Sequence, residues 1–132
     1  MAWDPHSLVV DEDRMTYYTQ GTGLPLLFVS GGPGDSHHYM RQAAEPFLDD
    51  FYCILYDQRG TGKSSCQDPA SVTVGALLLD LRSLQEHLEV PRIRIVGHSW
   101  GATLGLLYAL EDPDRVSHLV LAGLGPIRPR DA

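Results

Sequence analysis

The sequence contains no asparagine and only two cysteines, and no apolar run in it approaches the length of a membrane span. Without asparagine there is no acceptor for N-linked glycosylation. Cys53 lies in an apolar run and Cys66 in a loop, which matches neither a secreted disulfide scaffold nor a zinc site. The start of the chain has no basic segment followed by an apolar stretch. We therefore expect no signal peptide, no membrane partner and a cytoplasmic location.

Basic residues are outnumbered by acidic ones. Ten Lys and Arg residues against seventeen Asp and Glu residues give a formal net charge of −7. Such a chain repels phosphate backbones and anionic lipid surfaces, so nucleic acid is not an expected partner. The 132 residues, 43% of them hydrophobic and 20% charged, suffice for one globular domain with one sizeable core.

Short β-rich runs alternate along the chain with longer segments of helical period. This alternation is typical of parallel βαβ units, so we expect an α/β fold with three layers, α/β/α, around a mostly parallel sheet. Asp35 or Ser36 is the expected N-cap of the first helix. The predicted elements are a hairpin (6–10 and 15–19), strands at 24–30, 52–57, 93–97 and 118–122, and helices at 36–47, 72–88 and 100–111.

The strongest motif is Gly97-His98-Ser99-Trp100-Gly101, a G-x-S-x-G between a predicted strand and a predicted helix. At such a turn the serine is forced into a strained backbone conformation that lifts its hydroxyl out of the sheet edge. The following helix aims free N–H groups at the same place. A glycine-flanked serine in an ordinary tight turn is the alternative interpretation.

A second motif, Gly31-Gly32-Pro33-Gly34, follows the strand at 24–30. Its backbone N–H groups have no side chains in front of them and are able to supply a second oxyanion donor; the alternative is a plain turn.

A third motif runs from Asp57 to Ser64. Within it, Gly62-Lys63-Ser64 imitates the end of a phosphate-binding P-loop, but Asp57 stands where the first glycine is required and would repel a phosphate. We expect Arg59 to be a structural ion-pair partner and not a catalytic group.

The order Gly-Gly-Pro-Gly, Asp-Gln-Arg-Gly-x-Gly-x-Ser and Gly-x-Ser-Trp-Gly resembles the proline iminopeptidase (prolyl aminopeptidase) branch of the α/β-hydrolase family. The resemblance spans residues 31–101 and continues into 112–116. It implies that Ser99 is the nucleophile and that the N–H groups of Gly31 and Trp100 form the oxyanion hole. It also implies release of an N-terminal proline from a small peptide through an acyl-enzyme, without a metal or organic cofactor.

The sequence positions of the neighbouring residues give further expectations. Gly32 and His37 are expected to line the pocket, with His38 beside them, and His98 is expected to point away from the nucleophile. The family usually has histidine where this chain has Ser30, a change expected to alter local hydrogen bonding but not to remove the backbone donors.

The triad acid and base of this fold follow the serine in the chain. After Ser99, Asp112 and Asp114 look like helix-end residues, His118 falls in a strand, and Asp131 alone is a candidate acid. We therefore expect residues 1–132 to be the N-terminal portion of a single α/β-hydrolase core domain, ending after about six strands. The acid, the base and the cap domain are expected to be missing from this chain.

Other functions remain open. An esterase or lactonase on the same fold would use the same serine on an ester, whereas an epoxide hydrolase would want aspartate at position 99. The chain is alternatively a catalytically silent fragment or interaction module. Since the last predicted strand would be an exposed edge, we expect self-association or a complementing chain.

Overall fold

The computed structural model describes residues 2–124, which form one six-stranded sheet with helices on both faces. The sheet order is β1-β2-β4-β3-β5-β6. β1 and β2 form an antiparallel hairpin at one edge, β2 pairs antiparallel with β4, and the other neighbours are parallel. The predicted three-layer, mostly parallel architecture is confirmed. The strands are β1 (Asp4–Val10), β2 (Asp13–Gln20), β3 (Leu24–Val29), β4 (Phe51–Tyr56), β5 (Ile93–His98) and β6 (Val116–Ala122).

Alternate side chains of the central strands are buried on opposite faces of the sheet. Leu27 and Val29 of β3 join the core under two helices, whereas Leu26 and Phe28 face a smaller core on the other side. Burial on both faces is the reason that these strands appear in the sequence as continuous apolar runs. The helices are α1 (Met40–Ala44), α2 (Val74–His87) and α3 (Trp100–Glu111).

The two long helices match the predicted ones, but the first is shorter than predicted. The segment expected to be helical at 36–47 contains a 3₁₀ turn, the five residues of α1 and a second 3₁₀ turn. Ser36 caps the first turn by accepting a hydrogen bond from the backbone N–H of His38. Pro46 lies at the start of the last turn, where its missing N–H prevents α1 from continuing.

The strand order reverses between β3 and β5. β4 lies on one side of β3 and β5 on the other, and the connecting helices cover opposite faces. At such a switch point the loops after the two strands diverge and leave a crevice at their carboxyl ends. Gly31 and Ser99 follow β3 and β5 closely, so both motif loops lie at this crevice.

Within the described residues β6 is an edge strand, which pairs with β5 along one edge only. The side chains on one face of this strand are also uncovered. Val120 is 57% exposed, and His118 and Ala122 on the same side are exposed as well. We propose that this edge mediates self-association, because an unpaired strand with apolar side chains offers a ready template for another chain.

Val120→Lys is expected to raise the concentration needed for association by roughly tenfold, since a charge on the open face opposes pairing. Sedimentation velocity over a concentration series measures the shift. Leu110→Lys is the matched control, because Leu110, which is 67% exposed, is at least as accessible as Val120 but lies on α3. Equal association of both variants would contradict the assignment to β6.

Candidate active site

Ser99 lies in the turn between β5 and α3 with a backbone conformation that side-chain-bearing residues rarely adopt. Its φ is 54° and its ψ is −117°. The N–H of Ser99 donates to the carbonyl of Ala122, and its own carbonyl accepts from Ala102 and Thr103. The backbone is thus held by strand and helix at once. The side chain does not cap the helix and is partly exposed, so its hydroxyl remains available.

Two glycines make this turn sterically feasible. A Cβ at position 101 would lie 2.0 Å from the carbonyl oxygen of Val29, and a Cβ at position 97 would lie 2.5 Å from that of Gly101. Both distances are far inside van der Waals contact. The glycines of the G-x-S-x-G motif therefore allow α3 to start directly against the end of β3.

Gly31 reaches the serine from the neighbouring loop. A Cβ built on Gly31 would lie 3.4 Å from Ser99 Cβ and 3.2 Å from the carbonyl oxygen of His98. The two loops predicted to cooperate are therefore adjacent. The backbone N–H of Gly31 is not free, because it donates a hydrogen bond to the hydroxyl of Tyr39. That hydroxyl is also 2.9 Å from Nδ1 of His98.

Gln58 ties the glycine loop to the serine turn. Its amide nitrogen donates to the carbonyl oxygen of Ser30 at 2.8 Å, and its amide oxygen accepts from the indole N–H of Trp100 at 3.2 Å. The glutamine is 3% exposed, so both bonds are shielded from water. Ser30, which replaces the histidine usual in the family, is also buried, and its hydroxyl faces the carbonyl of Asp35 at 3.4 Å.

An open cavity lies between the glycine loop and the loop after β4. Its volume is about 510 Å³, which is within the range of small-molecule sites. Pro33 and Gly34 of the glycine loop and Gln58 form part of its wall, while Ser99 itself does not. Gln58 is the link to the serine turn, because it lines the cavity and also accepts from the indole N–H of Trp100. Gly32, which has a φ of 120°, comes directly before Pro33 in the chain.

His37 lies away from this cavity and is held on every side. Its ring is 6% exposed and stacks on Tyr18 at 3.9 Å between centroids. Nδ1 is 2.7 Å from Oδ1 of Asp57, while Nε2 accepts from Nε of Arg41 at 3.1 Å. Because Arg41 occupies Nε2, Nδ1 carries the hydrogen that Asp57 accepts. Where a pocket-lining residue was predicted, the structure has a buried link between the glycine loop and β4, with neither ring nitrogen free.

Asp57 is the acceptor that organises this link. The carboxylate is 1% exposed and accepts from the ring and backbone of His37 and from the backbone N–H of Lys63. Burial raises the pKa of Asp57, but these hydrogen bonds outweigh burial, so that the pKa is lowered. The turn at Gly62-Lys63-Ser64, which imitates the end of a P-loop, thus binds the carboxylate of Asp57 through the N–H of Lys63.

Asp57→Asn is expected to cost about 1.5–3 kcal/mol of unfolding free energy at pH 7, because it removes hydrogen bonds to a buried charge. A carboxyl whose pKa is lower when folded contributes stability above its unfolded pKa and loses it as pH falls through the folded pKa. The wild-type unfolding free energy should therefore decline through the acid range, and more steeply than that of the variant.

Urea unfolding at a series of pH values measures both quantities. Asp49→Asn serves as the control at pH 7, since Asp49 is exposed and its replacement should change stability by less than about 0.5 kcal/mol. Parallel pH curves for wild type and Asp57→Asn would contradict the role given to this carboxylate.

The histidine and acid candidates farther along the chain are not near Ser99. His118 pairs with Arg94 near the start of β5, whereas Ser99 follows the strand's end, so the two lie at opposite ends of the sheet. Asp112 follows α3 and is bonded to Arg115. Asp131 lies outside the described residues. Within residues 2–124, no cluster of three or more His, Cys, Asp or Glu side chains is placed to hold a metal ion.

Arg59 has the structural role predicted for it. It donates to both carboxylate oxygens of Asp80, at 3.0 Å from Nε and 2.8 Å from Nη2. The pair fixes the loop after β4 to α2. Tyr39 and Gln58, in contrast, were not singled out by the sequence, although both are bonded to residues of the two motif loops.

Known proteins with a similar sequence or structure point to one family. Residues 25–131 match the family described as alpha/beta hydrolase fold. A proline iminopeptidase of Arabidopsis thaliana is 36% identical over 97% of this chain and 35% of its own length; one of Xanthomonas citri is 38% identical over 92% of this chain and 40% of its own. The chain thus spans well under half the length of the curated relatives it matches.

Solved structures agree on the fold. A proline iminopeptidase-related protein of Thermus thermophilus superposes with a TM-score of 0.82 at 30% identity, over 92% of this chain and 44% of that one. An epoxide hydrolase of Vigna radiata gives a TM-score of 0.87 at 25% identity, over 97% and 42%. No helix between residues 2 and 124 has the length and apolarity needed to cross a membrane. The match over most of its length places the chain in the alpha/beta hydrolase family, as the motif order predicted.

Proposed function

We propose that this chain carries the nucleophile of a serine hydrolase resembling proline iminopeptidase, with Ser99 as the attacking residue. The observation that supports this most is the conformation of Ser99, whose φ of 54° is held between β5 and α3 while its hydroxyl makes no hydrogen bond to residues 2–124. Strained backbone of this kind is stored at functional sites and has no value to the fold by itself. The short approach of Gly31 to Ser99 adds a second loop to the same site.

The proposed reaction is acyl transfer. As the Ser99 hydroxyl attacks the carbonyl carbon, its proton passes to the triad base and the C=O electron pair moves to oxygen. Return of that pair breaks the C–N bond, and the amine of the shortened peptide leaves with the proton that the base gives back. Water then releases proline from the serine. The N–H of Trp100, at the N-terminus of α3, is one donor to the oxygen, and the second donor comes from the region of Gly31, whose own N–H is bonded to Tyr39.

We propose that the acid and base of the triad come from residues outside 2–124, in this polypeptide or a complementing chain, because the described candidates that follow Ser99, His118 and Asp112, do not lie near it. Without a base, only binding and the oxyanion hole accelerate the reaction, and turnover by this chain alone should be several orders of magnitude below that of a complete triad. The substrate is a small peptide, amide or ester, and the cavity beside Gln58 has room for it.

Two other functions are weighed against this one. An esterase or lactonase would use the same serine. Epoxide hydrolases are among the structural neighbours, but the serine at position 99 argues against that chemistry, which uses an aspartate. A silent interaction module would have no reactive serine at all.

A fluorophosphonate probe tests the proposal, because it labels activated serines covalently. We expect slow labelling of the wild type, assisted by the oxyanion hole without a base and detected by intact mass after long incubation, and none in Ser99→Ala. Ser7→Ala is the matched control, since Ser7 is an exposed serine in β1, and its labelling should equal that of the wild type. No labelling of the wild type, or equal labelling in Ser99→Ala, would favour the silent module.

The substrate class is tested by comparing two releases by the same protein: proline from a proline-arylamide, and p-nitrophenol from its acetate ester. Preference for the arylamide, lost in Ser99→Ala, supports a peptidase. Preference for the ester supports an esterase.

We also infer a reducing, cytoplasmic setting. Cys53 and Cys66 are both free thiols. Burial raises the pKa of Cys53 to about 11, so this thiol remains protonated and unreactive at neutral pH.

A further inference from the structure

The hydroxyl of Tyr39 lies against Gly31, the residue of the glycine loop that approaches the proposed nucleophile. A Cβ built on Gly31 would lie 3.0 Å from the phenolic oxygen and 3.4 Å from Ser99 Cβ. The phenol and the serine therefore border on the same small space. The ring of Tyr39 also meets that of His98 edge-on, at 5.6 Å between centroids, which holds the phenol in this place.

The hydrogen bond from Gly31 changes what the oxyanion hole can offer. The N–H of Gly31 is a single donor, and it is used by the phenolic oxygen. An oxyanion formed at Ser99 cannot take the same hydrogen while the phenol stays. The phenol, however, has a hydrogen of its own, and its oxygen lies 2.9 Å from Nδ1 of His98, which accepts that hydrogen when Nδ1 carries none. Since His98 is exposed, water can take over that contact at little cost.

We propose that the hydroxyl of Tyr39 donates the second hydrogen bond to the substrate oxyanion, with the N–H of Gly31 held behind it. This inference rests on the function proposed above. When Ser99 attacks, the carbonyl electron pair moves to oxygen, which accepts hydrogen bonds from Tyr39 and from the N–H of Trp100. The phenol keeps its proton throughout, and the pair returns to re-form the carbonyl when the amine departs. Tyr39 is then a catalytic residue.

Two physical properties suit the phenol to this role. Burial raises the pKa of Tyr39, a change only partly opposed by the bond from Gly31, so the hydroxyl carries its hydrogen at neutral pH. A hydroxyl that accepts a hydrogen bond also becomes a stronger donor, because the bonds of a chain polarise one another. Gly31 would thus act on the oxyanion through Tyr39.

The rate of Ser99 labelling by the fluorophosphonate tests the proposal. The phosphoryl oxygen gains charge during that reaction, and without a triad base the remaining rate depends on the oxyanion hole. Tyr39→Phe keeps the ring and removes only the hydroxyl, and we expect a fall of about 100-fold in the labelling rate constant. Tyr52→Phe, which removes a hydroxyl from β4, should leave that rate constant unchanged.

Gly31→Ala gives a second perturbation of the same hydroxyl, although its methyl group would also contact Ser99 Cβ at 3.4 Å, so it supports the test of Tyr39→Phe and does not replace it. Its methyl group would press on the phenolic oxygen at 3.0 Å and displace it, so labelling should slow as well, although Tyr39 is intact. Thermal unfolding of each variant checks that the fold is retained.

The outcomes separate the two proposals. Slower labelling of Tyr39→Phe supports a donating phenol. An unchanged rate overturns it, and a faster rate overturns it by showing that the phenol blocks the oxyanion hole. If the wild type is not labelled at Ser99, the proposed function itself fails and this inference fails with it.

Discussion

Gly101→Ala is expected to destabilise the chain by at least about 3 kcal/mol, at the upper end of what overpacking costs. The new methyl carbon would lie 2.0 Å from the carbonyl oxygen of Val29 and 2.6 Å from that of Ser30. Both oxygens belong to backbone at the end of β3, which cannot rotate away as a side chain can. To accept the methyl group, α3 would have to separate from the sheet, and Ser99 would move with it.

Gly75→Ala is the matched control for this substitution. Gly75 is the second residue of α2, as Gly101 is of α3, but a Cβ on it would meet nothing within 4 Å. Alanine there should be neutral or stabilise the chain by up to about 1 kcal/mol, through its better helix propensity. Urea unfolding followed by circular dichroism measures both. Similar stability of the two variants would show that α3 does not depend on this close approach.

Asp80→Ala is expected to cost about 3–5 kcal/mol, because it leaves the guanidinium of Arg59 buried without its partner. The two side chains are 7% and 3% exposed, and the carboxylate accepts two hydrogen bonds from the arginine. Burial raises the pKa of Asp80, although Arg59 opposes this rise. The charged carboxylate is therefore costly at this site and depends on Arg59 for its stabilisation.

Two further variants show whether pairing is the cause. Replacing both partners, Arg59→Met with Asp80→Leu, should recover much of the loss, since no uncompensated charge remains. Glu86→Ala removes a carboxylate that is 57% exposed and bonded to Arg82 and Arg115, and should change stability by less than about 1 kcal/mol. A loss for Asp80→Ala no larger than that for Glu86→Ala would contradict the assignment.

The sequence predicted the central strands well because they are buried on both faces and therefore continuously apolar. Helix α2 was predicted to begin at Val72 and begins at Val74, since Thr73 caps it by accepting from the N–H of Ala76. The spacing of apolar residues predicts which face of the helix is buried, but it does not show at which residue the helix is capped. The helix predicted at 36–47 is interrupted because Pro46 cannot donate, a signal that was present in the sequence.

Some residues of the candidate site could be predicted from local sequence, and others could not. Ser99 and its glycines are specified by neighbouring residues, so a five-residue pattern was enough to place the turn. Gln58 and Tyr39 act on this turn across long stretches of chain, through bonds to Trp100 and His98. The destination of His37 depends likewise on Asp57 in another loop. Such partners follow from three-dimensional packing, which no local pattern contains.

Because the serine turn depends on β3, the structure also predicts the order in which parts of the chain fold. Gly101 rests on Val29, and β3 pairs in parallel with β5, which lies far along the chain. Contacts between such distant segments are slow to form during folding, because a large loop must close first. Until that pairing exists, nothing holds position 99 in its unfavourable conformation. During refolding, the helices should therefore form early and the turn at Ser99 should form late.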